Sequence, residues 1–394
     1  MAVKFIDQID VKGKRVFIRA DFNVPLDENC NITDDNRIRA TVPTLQYILD
    51  NGGSVIAASH LGRPKGKRVP EMSLTPVAKR LGDLLGKDIQ FVDDCISDEA
   101  IEKGKALQPG EVLLLENLRF YSEEEKNDEG FAKRLGAAAD VFISDAFAVS
   151  HRAHASVEAI TRVLPVCAAG FLMKKEITNF ERAMQNPERP VAAVIGGAKV
   201  SGKLEVLENL IQKVDSILVG GGMAFTFLKA QGKEVGNSLV EEDLIETAKT
   251  ILKKAEEKGV RLLLPTDCVI AEEVKAGVPT KTVSADDIPG GWKGLDIGPE
   301  TVDTFNKIIA EAKTIVWNGP MGVFEIDEFS KGTYAVSDTI AQSSAMSVVG
   351  GGDSVAALKK SGNQDKVTFV STAGGAFMEL MEGKTLPGIA ALDK

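Results

Sequence analysis

Short runs of β-branched residues and leucines alternate along the chain with longer stretches whose apolar residues recur at helical spacing. The clearest helix is predicted from Glu241 to Lys258, because acidic residues fill its first turn, lysines lie near its end and Gly259 supplies a C-cap. The next residues, from Arg261 to Leu264, are predicted to form a strand. Alternation of this kind favours βαβ units and parallel sheets.

The predicted strands of the two halves of the chain end differently. In the first half they are followed by polar or cationic residues: Asp21 and Asn23, His60 and Arg63, and Asn117 and Arg119. In the second half they are followed by glycine-rich loops: Gly196-Gly197, Gly220-Gly221-Gly222, Asn318-Gly319-Pro320, Gly350-Gly351-Gly352 and Ser371-Thr372-Ala373-Gly374-Gly375. A helix from Gly170 to Gln185 and a connector from Asn186 to Pro190 separate the halves. At 394 residues the chain exceeds what one core usually organises, so two domains are expected.

The glycine-rich loops predict a phosphate site. Ligands of open α/β sheets bind beyond the carboxyl ends of the strands, where helices begin with unpaired N–H groups. Glycine at that point lets the backbone approach a phosphate without a Cβ in the way. A single cluster would indicate only a turn, whereas the repeated pattern in one half of the chain predicts a nucleotide or polyphosphate site.

Two lysines and one aspartate are candidates for that site. Residues 197–203 match the GxxxxGK pattern of a P-loop, but Leu204 replaces the Ser or Thr that would hold magnesium. Lys199 and Lys203 are predicted to lie on one face of a starting helix, where both could reach one polyphosphate; the alternative is two solvated surface lysines. Asp353 follows a glycine loop and could bind Mg²⁺ or cap a helix.

Charge and composition narrow the partners. The formal net charge of −10 argues against a protein that coats nucleic acid or binds an anionic membrane. The longest apolar stretch, from Val163 to Met173, contains Pro165 and is too short to span a bilayer, and Asp7 interrupts any signal sequence. The cysteines have no metal-binding spacing and are expected to be reduced thiols: Cys30, Cys95, Cys167 and Cys268. A soluble, cytoplasmic protein is expected.

Cationic residues recur near the predicted loops of the first half. Because one hydrogen bond to a charged group contributes only about 1.5–3 kcal/mol, holding a small anion requires several converging donors. The candidates are Arg37, His60, Arg63, Arg119 and Arg152, together with His151 and His154. Any one arginine could instead form a surface salt bridge. The acidic run from Glu123 to Glu129 is predicted to be a solvated loop and helix start.

The same segments closely resemble the phosphoglycerate kinase family along essentially the whole chain. The matching stretches of the first half are Arg19–Pro25, Ser59–Pro64, Leu114–Phe120 and His151–His154. Those of the second half are Gly196–Val200, Gly220–Phe225, Trp317–Glu325 and Gly350–Ser354. The chain departs from the family pattern at Ala373, where glycine is usual, and at Ala148-Val149-Ser150, where Gly-Thr-Ala is usual. These departures affect loop geometry and remove no charged group.

The resemblance implies an α/β fold of two doubly wound parallel-sheet (Rossmann-like) domains joined by a hinge helix. The phosphoglycerate-binding domain would comprise residues 1–170 plus 386–394, the hinge helix and connector 171–190, and the nucleotide-binding domain 191–385. It further implies a glycolytic kinase, a monomer, that transfers a phosphoryl group reversibly and in line between 1,3-bisphosphoglycerate and ADP in a closed interdomain cleft, giving 3-phosphoglycerate and ATP.

Site residues follow from the same resemblance. Phosphoglycerate would be bound by Asp21, Phe22, Asn23, Arg37, His60, Leu61, Gly62, Arg63, Arg119 and Arg152. The nucleotide would be bound by Gly197, Ala198, Lys203, Gly221, Gly294, Glu325, Gly351, Gly352, Asp353 and Ser354, with Mg²⁺ at Asp353. Charge on the transferring group would be stabilised by Arg37, Lys199, Gly374 and Gly375.

Two other classes of protein fit the sequence less well. A NAD-dependent dehydrogenase would need GxGxxG after a strand and an acidic residue about twenty positions on, and no strand has both. An idle nucleotide-binding scaffold would be expected to lose the charged residues of the site, all of which are present. The sequence therefore favours an active kinase.

Overall fold

A computed structural model describes residues 3–393 of the chain. By the contacts between its residues, the chain divides into two compact units. The first runs to Ile177 and resumes at Thr385, and the second is Thr178–Lys384. Among the residues described, no helix combines the length and the apolar character needed to cross a membrane.

The first unit is built on a six-stranded parallel sheet with the strand order β3-β4-β2-β1-β5-β6. Its strands are β1 (Arg15–Ala20), β2 (Ser54–Ala58), β3 (Ile89–Val92), β4 (Val112–Leu115), β5 (Val141–Asp145) and β6 (Val166–Ala169). Every residue of β2, β4 and β5 is buried, as expected when helices cover both faces of a parallel sheet. Strand β1 lies between β2 and β5, so the residues that follow it lie near the middle of the edge formed by the carboxyl ends of the strands.

Amphipathic helices cover this sheet. They are α1 (Asn36–Asp50), α2 (Thr75–Leu85), α3 (Asp98–Ala106), α4 (Ser122–Glu125), α5 (Glu129–Gly136) and α6 (Ile160–Val163), followed by α7 (Phe171–Met184). In α2, Val77, Leu81 and Leu85 recur at helical spacing and are buried, and Gly86 ends the helix with a φ of 62°. The predicted helix from Gly170 to Gln185 is confirmed as α7, and the division between the units falls within it.

The second unit has a second six-stranded parallel sheet, with the order β10-β8-β7-β15-β16-β17. Its strands are β7 (Val191–Ile195), β8 (Ser216–Val219), β9 (Glu234–Val235), β10 (Arg261–Leu263), β11 (Asp267–Ala271), β12 (Lys281–Ser284), β13 (Asp287–Ile288), β14 (Lys293–Ile297), β15 (Thr314–Asn318), β16 (Met346–Val349) and β17 (Phe369–Val370). Strands β12, β11 and β14 form a separate antiparallel sheet, and β9 pairs with β13. These two smaller sheets were not predicted.

The helices of the second unit lie between the strands of its six-stranded sheet or follow the last of them. They are α8 (Leu204–Leu210), α9 (Met223–Ala230), α10 (Ile245–Glu257), α11 (Pro299–Glu311), α12 (Lys331–Gln342), α13 (Gly352–Lys360) and α14 (Gly374–Met381). The helix predicted from Glu241 is present as a 3-10 turn at Glu242–Leu244 that leads into α10. The expectation of two doubly wound α/β domains is confirmed.

The last residues of the chain group with the first unit, where they form α15 (Pro387–Ala390). The Gly388 N–H donates a 2.8 Å hydrogen bond to the Ser150 carbonyl. A Cβ on Gly388 would lie 2.7 Å from a methyl group of Val157, so only glycine lets the helix approach this closely.

Candidate functional site

The glycine-rich loops of the second unit lie at the switch point of its sheet. The neighbouring strands β7 and β15 lie at the centre of the sheet. From β7 the strand order runs through β8 to β10 at one edge, and from β15 it runs through β16 to β17 at the other. All these strands are parallel, so the loops that follow their carboxyl ends share one edge. A switch point of this kind opens a crevice in which ligands bind.

These loops pack backbone against backbone. The Gly197 N–H donates a 3.1 Å hydrogen bond to the Pro320 carbonyl, and the Gly221 N–H donates a 2.8 Å bond to that of Met321. A Cβ on Gly196 would collide with the Pro320 carbonyl, and one on Gly221, whose φ is 71°, would lie 2.6 Å from the Gly197 oxygen. The close approach therefore requires glycine.

A cavity of about 460 Å³ opens beside the loops. Its lining brings together most of the predicted nucleotide residues: Gly197, Ala198, Gly221, Gly294, Glu325 and Asp353. Lys203, Gly351, Gly352 and Ser354 do not line it. Leu239 and Val274, which were not predicted, contribute an apolar wall although they are 47% and 51% exposed. Exposed aliphatic side chains beside glycine-rich loops could pack against the flat face of a nucleobase.

The two predicted lysines are placed differently from each other. Helix α8 begins only at Leu204, with Lys203 as its N-cap, and Lys199 lies in the preceding loop. The prediction that both lie on one face of a starting helix is therefore wrong. The Lys203 N–H bonds to the Val200 carbonyl at 2.7 Å, which closes a turn where the helix was expected. Lys199 is exposed, as the surface alternative also required.

Lys203 is held in a half-buried position. Its Nζ donates to Asn318 Oδ1 and lies 3.4 Å from Met378 Sδ. Burial lowers the pKa of Lys203 to about 8, against the opposing effect of the carboxylates of Asp353 and Glu382. The ammonium group is thus poorly solvated and would gain from an anionic ligand.

Asp353 lies in the first turn of α13 and is exposed to the cavity. The N-cap of that helix is Gly351, with a φ of 95°, so the alternative that Asp353 is the N-cap is wrong. Across residues 3–393, no group of three or more His, Cys, Asp or Glu side chains could enclose a metal ion. A single carboxylate beside a phosphate cradle fits Mg²⁺, which commonly takes one or two carboxylates and completes its shell with phosphate and water oxygens.

The remaining loop residues are fixed by the backbone. The Ser354 hydroxyl is buried and accepts a 2.6 Å hydrogen bond from the Gly319 N–H. Helix α14 begins at Gly374, and Gly374 and Gly375 are exposed, as the predicted helix start requires. Ala373 precedes it with a φ of −133°, an extended conformation that an alanine adopts without strain. The departure from glycine at this position is therefore compatible with the loop.

In the first unit, three strand ends converge through hydrogen bonds. Arg37 Nη1 forms a 2.7 Å ion pair with Asp21 Oδ2. Asn23 Oδ1 accepts a 2.8 Å bond from the Gly62 N–H, and Arg119 Nη1 donates a 3.0 Å bond to the Gly62 carbonyl. The structure thus brings together five of the predicted phosphoglycerate residues, which follow β1, β2 and β4 or lie on α1.

The other predicted residues are less uniform. Phe22 is buried and its N–H donates to Ser59 Oγ at 2.8 Å, while the Leu61 carbonyl accepts a 2.7 Å bond from the Asn117 side chain. Arg152 is half-buried, with Nε 3.2 Å from His151 Nε2. Arg63 is exposed, and no hydrogen bond or ion pair joins it to the other site residues within the part of the chain that is described.

A buried network behind these residues was missed by the sequence analysis. Arg19, Ser156 and Glu124 are each fully buried; Ser156 Oγ accepts a bond from Arg19 Nε at 2.9 Å and donates one to Glu124 Oε1 at 2.5 Å. The prediction that the acidic run is solvated is wrong for Glu124. Its buried carboxylate balances Arg19 in the interior, where an unpaired charge would be costly.

Positive charge accumulates around two buried histidines. Burial and the neighbouring Arg19 and Arg119 lower the pKa of His154 to about 3, and the pKa of His60 is also well below its usual value. Burial and Arg19 lower the pKa of Arg119 to about 10. Because these cations oppose one another's charge, the site favours an anionic ligand.

The protein has two doubly wound α/β units, with glycine-rich loops at the switch point of one and converging cations in the other. These features define a class of protein, the nucleotide-dependent enzymes that act on a small anion. The phosphoglycerate kinase family model matches residues 6–384. The phosphoglycerate kinase of Geobacter metallireducens is 59% identical, covering 100% of this chain and 99% of that protein. That of Gloeothece citriformis is 54% identical over 99% of this chain and 98% of its own.

Solved structures agree with the relatives. The phosphoglycerate kinase structure from Coxiella burnetii has a TM-score of 0.94 at 44% identity, and that from Pyrococcus horikoshii OT3 has 0.82 at 33%; each covers 99% of this chain and 98% of the solved one. The chain belongs to the phosphoglycerate kinase family. It is a glycolytic phosphotransferase with a carboxyl group as acceptor, and it catalyses reversible phosphoryl transfer between 1,3-bisphosphoglycerate and ADP.

Proposed function

We propose that the two sites divide the substrates between them. Phosphoglycerate binds to the cationic set of the first unit, and ADP or ATP binds in the cavity of the second. The ion pair and hydrogen bonds that link Arg37, Asp21, Asn23, Gly62 and Arg119 support the first assignment. We retain residues 1–170 plus 386–394 and 191–385 as the two substrate-binding domains, with 171–190 as hinge helix and connector.

The nucleotide is proposed to lie with its base against the apolar wall and its phosphates against the glycine loops. Glu325 lines the same cavity and can accept hydrogen bonds from ribose hydroxyls. Lys203 and the start of α13 then face the phosphates, where N–H groups and a cation favour negative charge. Asp353 would hold Mg²⁺, which when bound neutralises phosphate charge.

Phosphoryl transfer is proposed to be direct and in line. The attacking oxygen in either direction is an ionised carboxylate or phosphate at neutral pH, so no general base is required. Catalysis reduces to positioning and to stabilising the charge of the transferring group. We assign that stabilisation to Arg37, Lys199 and the N-terminus of α14 at Gly374 and Gly375. Both ligands must come within reach of each other during turnover, and water must be excluded from the acyl phosphate.

We further infer a cytoplasmic monomer that binds neither nucleic acid nor membranes. The net charge of −10 supports this, because a polyanionic partner would be repelled. Leu239 and Val274, two of the three exposed large hydrophobic residues in the described part of the chain, are used by the proposed base site. Light scattering coupled to size exclusion would test the proposal, and a stable dimer at micromolar concentration would contradict it.

The division of substrates can be tested with two arginines of one helix. Arg37 and Arg39 both lie on α1, but Arg39 is exposed and its ion pair, among the described residues, is with the helix N-cap Asp35. In a coupled assay, Arg37→Ala should raise the KM for 3-phosphoglycerate at least tenfold, the effect of losing about 1.4 kcal/mol of binding, and should leave the KM for Mg-ATP unchanged. Arg39→Ala should change neither. Equal effects of the two substitutions would refute the assignment.

A further inference from the structure

The buried guanidinium of Arg19 contacts the ring of His60. Arg19 lies on β1 and is fully buried, and its Nη2 is 3.1 Å from His60 Nδ1. Its other nitrogens are also engaged: Nε donates to Ser156 Oγ at 2.9 Å, and Nη1 donates to the Ala20 carbonyl. The guanidinium is therefore held in place on three sides.

The chemistry of this contact fixes the proton on the histidine. A guanidinium carries only donors and keeps its proton in proteins. Since Arg19 must donate, His60 Nδ1 must accept, and an accepting nitrogen carries no hydrogen. The ring proton then lies on Nε2, for which no protein hydrogen-bond partner is found within residues 3–393.

We infer that Arg19 is a positioning residue that holds His60 in the neutral Nε2–H tautomer, so that the ring presents a donor to phosphoglycerate. The ligand part of this inference rests on the proposed function; the tautomer does not. Glu124 supports the arrangement because it balances the charge of Arg19 through Ser156. Burial disfavours protonation of His60, and so do the cationic groups that face it, Arg19, Arg119 and Arg37. His154 is the other titratable group facing His60, and its low pKa keeps it neutral at both pH values.

A purely structural role for Arg19 would predict lost stability without a specific change at His60. The tautomer distinguishes the two, and the chain has only three histidines, which makes it measurable. Protein labelled with ¹⁵N-histidine would be studied by two-bond ¹H–¹⁵N correlation spectra at pH 6 and 7.5, with His60 assigned from a His60→Gln sample. We expect an unprotonated Nδ1 and a protonated Nε2 at both pH values. An Nδ1–H tautomer or an imidazolium at pH 6 would overturn the inference. The tautomer is measured on the unsubstituted protein, and His60→Gln is needed only to assign the resonances.

A matched pair of substitutions on one strand tests the link to the substrate. Arg19→Lys keeps the positive charge beside Glu124 but shortens the reach to His60, whereas Arg15→Lys alters the arginine at the start of β1, which pairs with Asp140. We expect Arg19→Lys to give mixed tautomers of His60 and to raise the KM for 3-phosphoglycerate about tenfold, with the KM for Mg-ATP unchanged. Arg15→Lys should leave the tautomer and both KM values unchanged.

The outcomes separate the two levels of the inference. An unchanged single tautomer in folded Arg19→Lys would overturn the positioning role. Mixed tautomers with an unchanged KM for 3-phosphoglycerate would leave the tautomer assignment standing and would overturn the ligand contact of His60. A rise in both KM values would indicate a general disturbance and would also count against the positioning role.

Discussion

Lys203 changes charge within the pH range of an ordinary enzyme assay, since burial lowers the pKa of its ammonium group to about 8. The phosphates of a nucleotide attract the charged form. Binding should therefore raise the pKa of Lys203, take up protons, and weaken as the pH rises through 8. Raising the pH is the perturbation, and the affinity for Mg-ADP is the quantity to follow.

The size of the effect follows from the same pKa. With a value of about 8, roughly nine tenths of Lys203 is charged at pH 7 and roughly one tenth at pH 9. If only the charged form binds nucleotide well, the dissociation constant of Mg-ADP rises about tenfold over this interval, or about 1.4 kcal/mol. At pH 8 the complex should take up about half a proton.

Isothermal titration calorimetry measures both quantities, because titrations in two buffers with different ionisation enthalpies give the proton uptake. Lys203→Met should bind more weakly at pH 7 and should lose most of the pH dependence. Lys253→Met, which alters an exposed lysine of α10, should behave as the unsubstituted enzyme. A dissociation constant that stays level from pH 7 to 9, or an undiminished slope in Lys203→Met, would refute the reasoning.

Three further substitutions have defined outcomes. Lys199→Ala should lower kcat by a factor of about 10²–10³, as loss of a transition-state donor does. Its affinity for Mg-ADP, measured by calorimetry, should be nearly unchanged. A large loss of affinity with a normal kcat at saturation would mean that the role of Lys199 is misassigned. Gly294→Ala should lower the free energy of unfolding by about 1–3 kcal/mol, measured in urea, because its Cβ would enter the ring of Phe225. Burial raises the folded-state pKa of Asp145 to about 7. The free energy of unfolding of the unsubstituted chain should therefore fall as the pH rises from 4 to 7, whereas that of Asp145→Asn lacks this contribution. The difference should shift in favour of Asp145→Asn by up to about 1.4 kcal/mol per pH unit. The buried acid keeps its proton in this window while the unfolded chain releases it, so folding weakens as the pH rises; parallel melting curves would contradict this.

The local signals in the sequence were sufficient for the two six-stranded parallel sheets and for the glycine-rich loops at the strand ends of the second unit. A β-branched run followed by glycines is readable without knowledge of the rest of the chain, and the strands that precede Gly196 and Gly350 are present as predicted. The predicted helix start failed because Lys203 closes a turn with Val200, and no rule of spacing distinguishes that turn from a first helical turn.

Long-range partners explain the other failures. Glu124 looks solvated among its acidic neighbours, but it is buried against long-range partners that include Ser156, 32 positions along the chain. Arg19 is buried because β1 lies between β2 and β5, a position in the sheet that its own residues do not reveal. The small antiparallel sheet was missed because β12 is largely exposed and polar, without the apolar alternation that identifies a strand.

The backbone packing of the glycine loops limits how this enzyme can change. A methyl group added to Gly196, Gly221 or Gly319 would strike main-chain atoms of a neighbouring loop, which cannot move aside as a side chain can. Even the smallest substitution, to alanine, therefore disrupts the loop packing at those positions. With the base site proposed above, inherited variation in nucleotide preference is expected instead at exposed cavity positions such as Leu239 and Val274. The glycine loops thus restrict sequence change, and the exposed side chains of the cavity permit it.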